Sequence, residues 1–459
     1  MKEFHRAGPT IGGIGILYGS PGPGGDRTRR CSDPWGTSGA ALGRPLMFRE
    51  EAAMTTAVGE RLAIHGGAPV RRAPWPQWPV WDAEDEQAVA EVIRSGKWFA
   101  GSGKKNWEFA AAYSAAHDAR HAIPCCNGTQ ALEIALRAAG VKAGDEVITS
   151  PYTFIATAAA TVQVNAVPVF ADVQPDTLNL DAESVEAAIT SRTRAILAVH
   201  VAGCPADLDA LGDVARRHGI TLLEDAAQAH LAQWKGIGVG AIGSAGTFSF
   251  QASKNLNSGE GGVVLTNSDE VYETAWSLVN CGRVRDGGWY EHRMLSGNYR
   301  MTEFQAALLL SQMRRLEAQT ALRNENALYL AARLAEIEGI RPLRRDARIT
   351  RHAYHLFIFR FCSAEFGGLD RDEFLAALKA EGIPCSPGYS PLYRSPAFKI
   401  DTDTHPFARS RDYGAMHLPV VELGCEEAVW LTQGMLLGTT ADMDDIVRAV
   451  RKIQAATRG

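Results

Sequence analysis

Between Glu146 and Asp225 the chain repeats one pattern, a short apolar run followed by a stretch with helical periodicity. The runs are EVITS, VPVFADV, AILAVHV and TLLED, and the helical stretches are Ile155 to Val164, Ala182 to Ile189 and Ala206 to Arg217. Strands joined through helices run parallel, and the helices then cover both faces of the sheet. The pattern predicts an α/β fold built on a largely parallel sheet, with ligands expected beyond the carboxyl ends of its strands. Such a fold needs apolar residues in quantity, and 46% of the 459 residues are hydrophobic, enough to fill two domains.

Three stretches at predicted strand ends carry chemistry. TFSFQASKNLNSGEGG (Thr247 to Gly262) reads as a strand from Thr247 to Phe250, a polar turn holding Lys254, and a glycine-rich turn into a second strand, Val263 to Thr266. A lysine kept partly dehydrated there favours its neutral amine, which can attack a carbonyl to form a Schiff base. Ser249 points a hydroxyl toward the same space and is a candidate phosphate ligand. In ITLLEDAAQAH (Ile220 to His230) the strand from Ile220 to Leu223 ends in Glu224 and Asp225. A buried carboxylate needs a cationic partner, which a protonated pyridine nitrogen supplies. Glu224 points the other way and reads as structural. IPCCNGTQALEIALRAAG (Ile123 to Gly140) places a polar turn, Asn127-Gly128-Thr129, before an amphipathic helix whose free N–H groups suit a phosphate. A phosphate cradle, a strand-end aspartate and a loop lysine together describe a site for pyridoxal 5'-phosphate (PLP).

These stretches, with SPYTFIATAAA (Ser150 to Ala160) and SGNYRMTEFQAALLLSQMRRLE (Ser296 to Glu317), resemble in the same order the DegT/StrS-type sugar aminotransferases of fold-type I, from about Leu62 to the C-terminus. LAIHGGAPVRRAPWPQWPVWD and NCGRVRDGGWYEHRMLSGNYRMTEF look most like the branch that aminates cyclitol ketones such as scyllo-inosose, and its relative 3-amino-5-hydroxybenzoate synthase. The resemblance implies a large PLP-binding domain (residues 59–325) with a mostly parallel seven-stranded sheet, and a small C-terminal α+β domain (residues 326–459). It also implies a homodimer with shared active sites. Lys254 would hold PLP and shuttle a proton, Asp225 would pair with the pyridinium, and Gln228 would bond the ring hydroxyl. Gly128, Thr129 and Ser249 would bind the phosphate, and Phe154 would stack on the ring with Tyr152 as its competitor. Asn298 would reach the neighbouring subunit's phosphate.

On the substrate side the segments that match contribute Tyr152, His200, Arg283, Arg285, Tyr299 and His355. The implied reaction moves an amino group from L-glutamine or L-glutamate to a keto-cyclitol or keto-sugar. A 3-amino-5-hydroxybenzoate synthase-like lyase and a non-catalytic PLP-binding regulator are the alternatives. Leu231 departs from the pattern, since relatives commonly carry Gly there, and a bulkier side chain is expected to shift the adjoining loop.

The remaining features bound the rest. A net charge of −5 without a five-residue run of like charge argues against nucleic-acid binding. No stretch approaches the roughly 20 apolar residues of a membrane span. The eight cysteines show no CxxC spacing and read as free thiols of a cytoplasmic protein. Residues 1–58, rich in Gly, Pro and Arg, are expected to be a disordered extension, with Met54 as the expected natural start. Asp82 is expected to cap a helix to Ser95, a second helix to span Asn106 to His117, and a long one Glu303 to Ile337 to link the domains. The C-terminal part is expected to mix the strand HLFIFRF with helices Arg371 to Glu381 and Thr440 to Ala456.

Overall fold

The Asp82 carboxylate accepts hydrogen bonds from the N–H groups of Glu84 and Asp85, and the Asp85 carboxylate accepts one from the Asp82 N–H in return. This capping box starts helix α1 (Ala83–Ser95) where the sequence requires it. The computed structural model that shows it describes residues 61–458, so the expectations for the N-terminal extension and for Met54 lie outside the described residues. Helix α2 (Lys105–Ala116) leads into strand β1 (His121–Cys125) and helix α3 (Gly128–Ala138). There follow β2 (Glu146–Thr149), α4 (Ala156–Gln163), β3 (Val167–Phe170), α5 (Ala182–Ala188), β4 (Thr193–Val199), α6 (Leu208–His218) and β5 (Thr221–Asp225). Strands β6 (Ala245–Ser249) and β7 (Gly262–Thr266) flank the lysine turn, and α7 (Asp269–Val279) and α8 (Glu303–Leu334) complete this part. Helix α6 starts two residues later than its periodicity suggested. Asp207 caps it by accepting from the Ala210 N–H, and the cap overrides the apolar pattern.

The seven strands form one sheet in the order β1-β7-β6-β5-β4-β2-β3. Only β7 runs against the others: it pairs antiparallel with β1 and β6, whereas β2 with β3, β2 with β4, β4 with β5 and β5 with β6 are parallel. Side chains alternate between faces along each strand. Ile148, Ile196, Phe248 and Val263 pack with residues of α2, α6 and α8, while Val147, Leu197, Leu223 and Val264 pack with residues of α3 and α7. Both faces are thereby dry, and the carboxyl ends of β1, β4, β5 and β6 open on one edge.

Helix α8 enters the first of these cores through Leu309 and Leu316 and a separate one through Ala327, Leu330 and Leu334. That second core lies under strands β8 (Ile340–Pro342), β9 (Leu356–Phe361) and β10 (Ala428–Thr432), with helices α9 (Arg371–Ala380), α10 (Pro419–Glu427) and α11 (Thr440–Thr457) in the same segment. Glu381, wholly buried at the end of α9, accepts from the N–H groups of Ala63 (2.8 Å) and Val70 (3.0 Å) and pairs with Lys452 (2.9 Å). Removing the carboxylate leaves the buried ammonium without its counter-charge. Glu381→Ala is therefore expected to lower unfolding free energy by about 3–5 kcal/mol, read as a shifted midpoint in urea.

Among the described residues no helix is long and apolar enough to cross a membrane. Cys125, Cys126, Cys204, Cys281, Cys385 and Cys425 are free thiols, as expected. Cys362 is disulfide-bonded, which corrects the expectation for that residue, and Cys31 lies outside the described residues.

Candidate active site

Ser249 ends β6 directly against the start of α3. A Cβ on Gly128 would lie 2.6 Å from the Ser249 Cβ, so only glycine lets the two elements meet. Asn127 caps the helix, its side chain accepting from the Gln130 N–H (2.9 Å) and its carbonyl from the Ala131 N–H (3.0 Å). The N–H groups of Gly128 and Thr129, at the first two helical positions, have no partner within the helix. Beside them stands the Ser249 hydroxyl, so the three residues form an anion cradle at a helix N-terminus.

The turn between β6 and β7 carries Lys254 and is pinned by its own backbone, with Ala252 N–H to Gly259 O (3.0 Å) and Lys254 N–H to Gln251 O (2.8 Å). Distant residues hold it on both sides. The Trp78 indole N–H donates to Ala252 O (3.0 Å), and the Asn255 side chain donates to Ala353 O (2.7 Å) while bonding His355 Nδ1 (3.1 Å). Burial lowers the Lys254 amine from 10.5 to about 8, against the pull of the Asp225 charge. A substantial neutral fraction near pH 8 is what a nucleophilic amine needs.

Asp225 is buried, and burial raises its carboxyl above the ordinary range against hydrogen bonds from the Thr157 hydroxyl (2.7 Å) and the Ala227 N–H (3.2 Å) and against the Lys254 charge. Because the Thr157 proton goes to the carboxylate, the contact with Thr153 (2.8 Å) has Thr153 as donor. A relay from Thr153 through Thr157 thus orients Asp225. Gln228 accepts the Ala202 N–H at Oε1 (2.7 Å), which turns its Nε2 to the Tyr389 hydroxyl (3.1 Å). Sequence reasoning missed Thr153, Thr157 and Tyr389. The two threonines, four residues apart around Phe154, are the one local signal; Tyr389 had none, since it meets Gln228 across 161 residues.

The structure separates the two candidate rings. Phe154 is 57% exposed, whereas Tyr152 is wholly buried with its hydroxyl accepting from Trp430 Nε1 (2.9 Å). Tyr152 is therefore a wall residue and not a substrate contact. The substrate reading of His200 is also corrected. Its Nδ1 accepts from the Ala206 N–H (3.0 Å) and its Nε2 donates to Glu224 (3.0 Å), with no surface exposed. Glu224, although burial works against it, is held below the ordinary carboxylate range by His200 and by the N–H groups of Gly240 and Gly243, and is structural as expected.

His355, kept neutral by burial, faces Asn255 and acts on the lysine turn. Arg285 bonds Glu273 (2.7 Å), and Arg283 lies in the segment that ends at Asn298, with its backbone paired to His292. Tyr299 bonds through its backbone to Val279 and Cys126, its ring folded against Gly297. Asn298 is exposed, its side chain accepting from the Arg300 N–H (3.3 Å).

Leu231 adopts φ 60°, in the left-handed region that favours glycine. Its side chain is nevertheless buried in the core, and its N–H donates to His117 Nε2 (3.3 Å), so packing and a hydrogen bond hold the strained backbone in place. Leu231→Gly is expected to lose the packing of a buried leucine, about 2–5 kcal/mol, offset by roughly 1–2 kcal/mol of relieved strain. A lowered melting temperature with unchanged cofactor uptake is the result expected from calorimetry and absorbance.

An amine lowered by burial, a buried carboxylate beside it, an anion cradle and an exposed aromatic ring follow the carboxyl ends of strands in one sheet. The chain is 42% identical over 407 residues (86% of this chain, 97% of the relative) to a protein of Streptoalloteichus tenebrarius with the provisional name L-glutamine:3-amino-2,3-dideoxy-scyllo-inosose aminotransferase. It is 40% identical over 413 residues (85% and 97%) to the L-glutamine:2-deoxy-scyllo-inosose aminotransferase of the same organism. The crystal structure of 3-amino-5-hydroxybenzoic acid synthase superposes with a TM-score of 0.77 at 34% identity, over 85% of this chain and 100% of that one. The fold is that of fold-type I aminotransferases. Residues 79–451 match the DegT/DnrJ/EryC1/StrS aminotransferase family, and the chain is an aminotransferase of that family.

Proposed function

We propose that the protein is a PLP-dependent aminotransferase that moves the amino group of L-glutamine to the keto group of a cyclitol of the deoxy-scyllo-inosose class, working as a cytoplasmic homodimer. The observation that carries the reading is that Lys254 and Asp225 sense each other's charge in one desolvated site, where burial displaces each from its ordinary titration range and the charge of the other opposes that displacement. The residues present fit PLP. The cradle of Gly128, Thr129 and Ser249, from which any Cβ at Gly128 is excluded, suits its phosphate, and the open face of Phe154 suits its ring. Asp225 suits the pyridine nitrogen, and the second N–H of the Gln228 amide suits the ring hydroxyl.

Bound PLP supplies an electron sink that lets the donor's α-carbon lose a proton. Lys254 holds the cofactor and then, as a neutral amine, takes and returns that proton. Asp225, oriented by the Thr153–Thr157 relay, keeps the positive charge opposite it stable. The dimer reading is supported by large apolar side chains left exposed in two segments, Trp98, Phe99 and Trp107 in one and Trp289, Tyr290 and Leu295 in the other, just before Asn298.

The test is the half-reaction. Protein with bound PLP is mixed with L-glutamine, L-glutamate or no donor, and the visible cofactor band and 2-oxo acid are followed before deoxyinosose-type ketones are offered. Loss of the band with L-glutamine, and its return on adding the ketone, is expected. A band that survives every donor overturns the reading in favour of the lyase alternative, which the likeness to the benzoate synthase fold keeps as the runner-up.

A further inference from the structure

Arg323, on α8, is among the described residues the largest side chain with no exposed surface. Its Nε and Nη2 both donate to Gln433 Oε1 (3.0 and 2.6 Å), its Nη1 has no partner, and its guanidinium lies 5.2 Å from the centre of the Trp78 ring. Among the described residues no carboxylate pairs with it, and burial alone lowers it to about 9. A guanidinium buried without a counter-charge destabilises a fold, and an apolar side chain of similar volume is often neutral or better in its place. Stability therefore does not explain the residue.

Its contacts lead to the lysine turn. Trp78 rests on the guanidinium and donates its indole N–H to Ala252, two residues before Lys254. His355 bonds Asn255, the residue after Lys254; burial first, then the charges of Lys254 and neighbouring histidines, and last that of Arg323 disfavour protonation of His355 and His230. His230 in turn donates from Nε2 to Ser249 O (3.0 Å), as its Nδ1 takes the Tyr113 hydroxyl (2.8 Å). We propose that Arg323 is a positioning residue, which through Trp78 holds the Lys254 turn in the geometry that receives the cofactor. The inference rests on the reading of Lys254 as the PLP-holding lysine.

The test uses the full chain stripped of cofactor, titrated with PLP, with the melting temperature and the circular dichroism of the bound-cofactor band as readouts beside affinity. Arg323→Met keeps length and removes charge. It is expected to melt at or above the wild-type temperature, to bind PLP roughly tenfold more weakly and to show a diminished dichroic band. Trp78→Phe, which keeps a ring over the guanidinium but loses the N–H to Ala252, is expected to move affinity and dichroism the same way and decides the matter if Arg323→Met does not fold. Unchanged affinity and dichroism in both, whatever the melting temperature does, overturns the proposal. Lys254→Met is the control: if it retains PLP as the wild type does, the reading of the site itself has failed, and Arg323 is not the cause.

Discussion

Lys254→Met is expected to abolish amino transfer, by at least about 10^4-fold, and to leave a folded protein that no longer retains PLP through gel filtration. The methionine keeps the stem packed and removes only the amine, so the loss reports chemistry and not collapse of the turn. Stability moves the other way. The amine titrates near 8 in the fold instead of at 10.5, which costs about 3 kcal/mol whenever it is protonated in the native state. The folded state binds fewer protons than the unfolded one between pH 8 and 10.5, so wild-type stability rises with pH across that window. The cofactor-free Lys254→Met protein is therefore expected to be more stable than wild type at pH 7, with the difference fading above pH 8 and gone near 10.5. Urea midpoints at several pH values check this. Uptake of PLP by the wild type has the matching dependence: the neutral amine is the reactive form, so the rate rises through a midpoint near pH 8.

Asp225→Asn is expected to reduce turnover by about 10^2–10^3-fold with PLP still bound. The amide keeps the shape but cannot hold a positive charge opposite it, so the loss falls on kcat more than on KM for the donor. Asp225 is the charge that opposes the burial effect on Lys254, so its removal lets the lysine titrate lower still. The pH midpoint of PLP uptake is then expected to fall below the wild-type value. A midpoint that stays in place, measured on the same uptake assay, would show that the two groups do not sense each other.

Much of the site was legible in the chain because its pieces are local. A strand ending in a carboxylate, a lysine between a serine strand end and a glycine turn, and an asparagine cap before an amphipathic helix each lie within about a dozen residues, where backbone periodicity and capping chemistry leave a mark. Asp225, Lys254, Gly128 and Ser249 were singled out as candidates that way, and the strands of the parallel sheet were found that way. The errors and omissions concern partners chosen across the fold. His200 reads like a cleft histidine until β5 brings Glu224 to its Nε2, and Tyr152 like a stacking ring until Trp430 covers it. Arg323 sits in a helix as one polar residue among many, and only the approach of Trp78 and Gln433, 245 and 110 residues away in sequence, leaves it buried without an anion. The sequence by itself determined which segments are strands, helices and reactive turns, because those follow from near-neighbour sterics and hydrogen bonding. Which polar groups are desolvated, and against whom, was decided by the tertiary structure, because burial and charge pairing depend on chain segments that meet only when the sheet and the C-terminal core have closed.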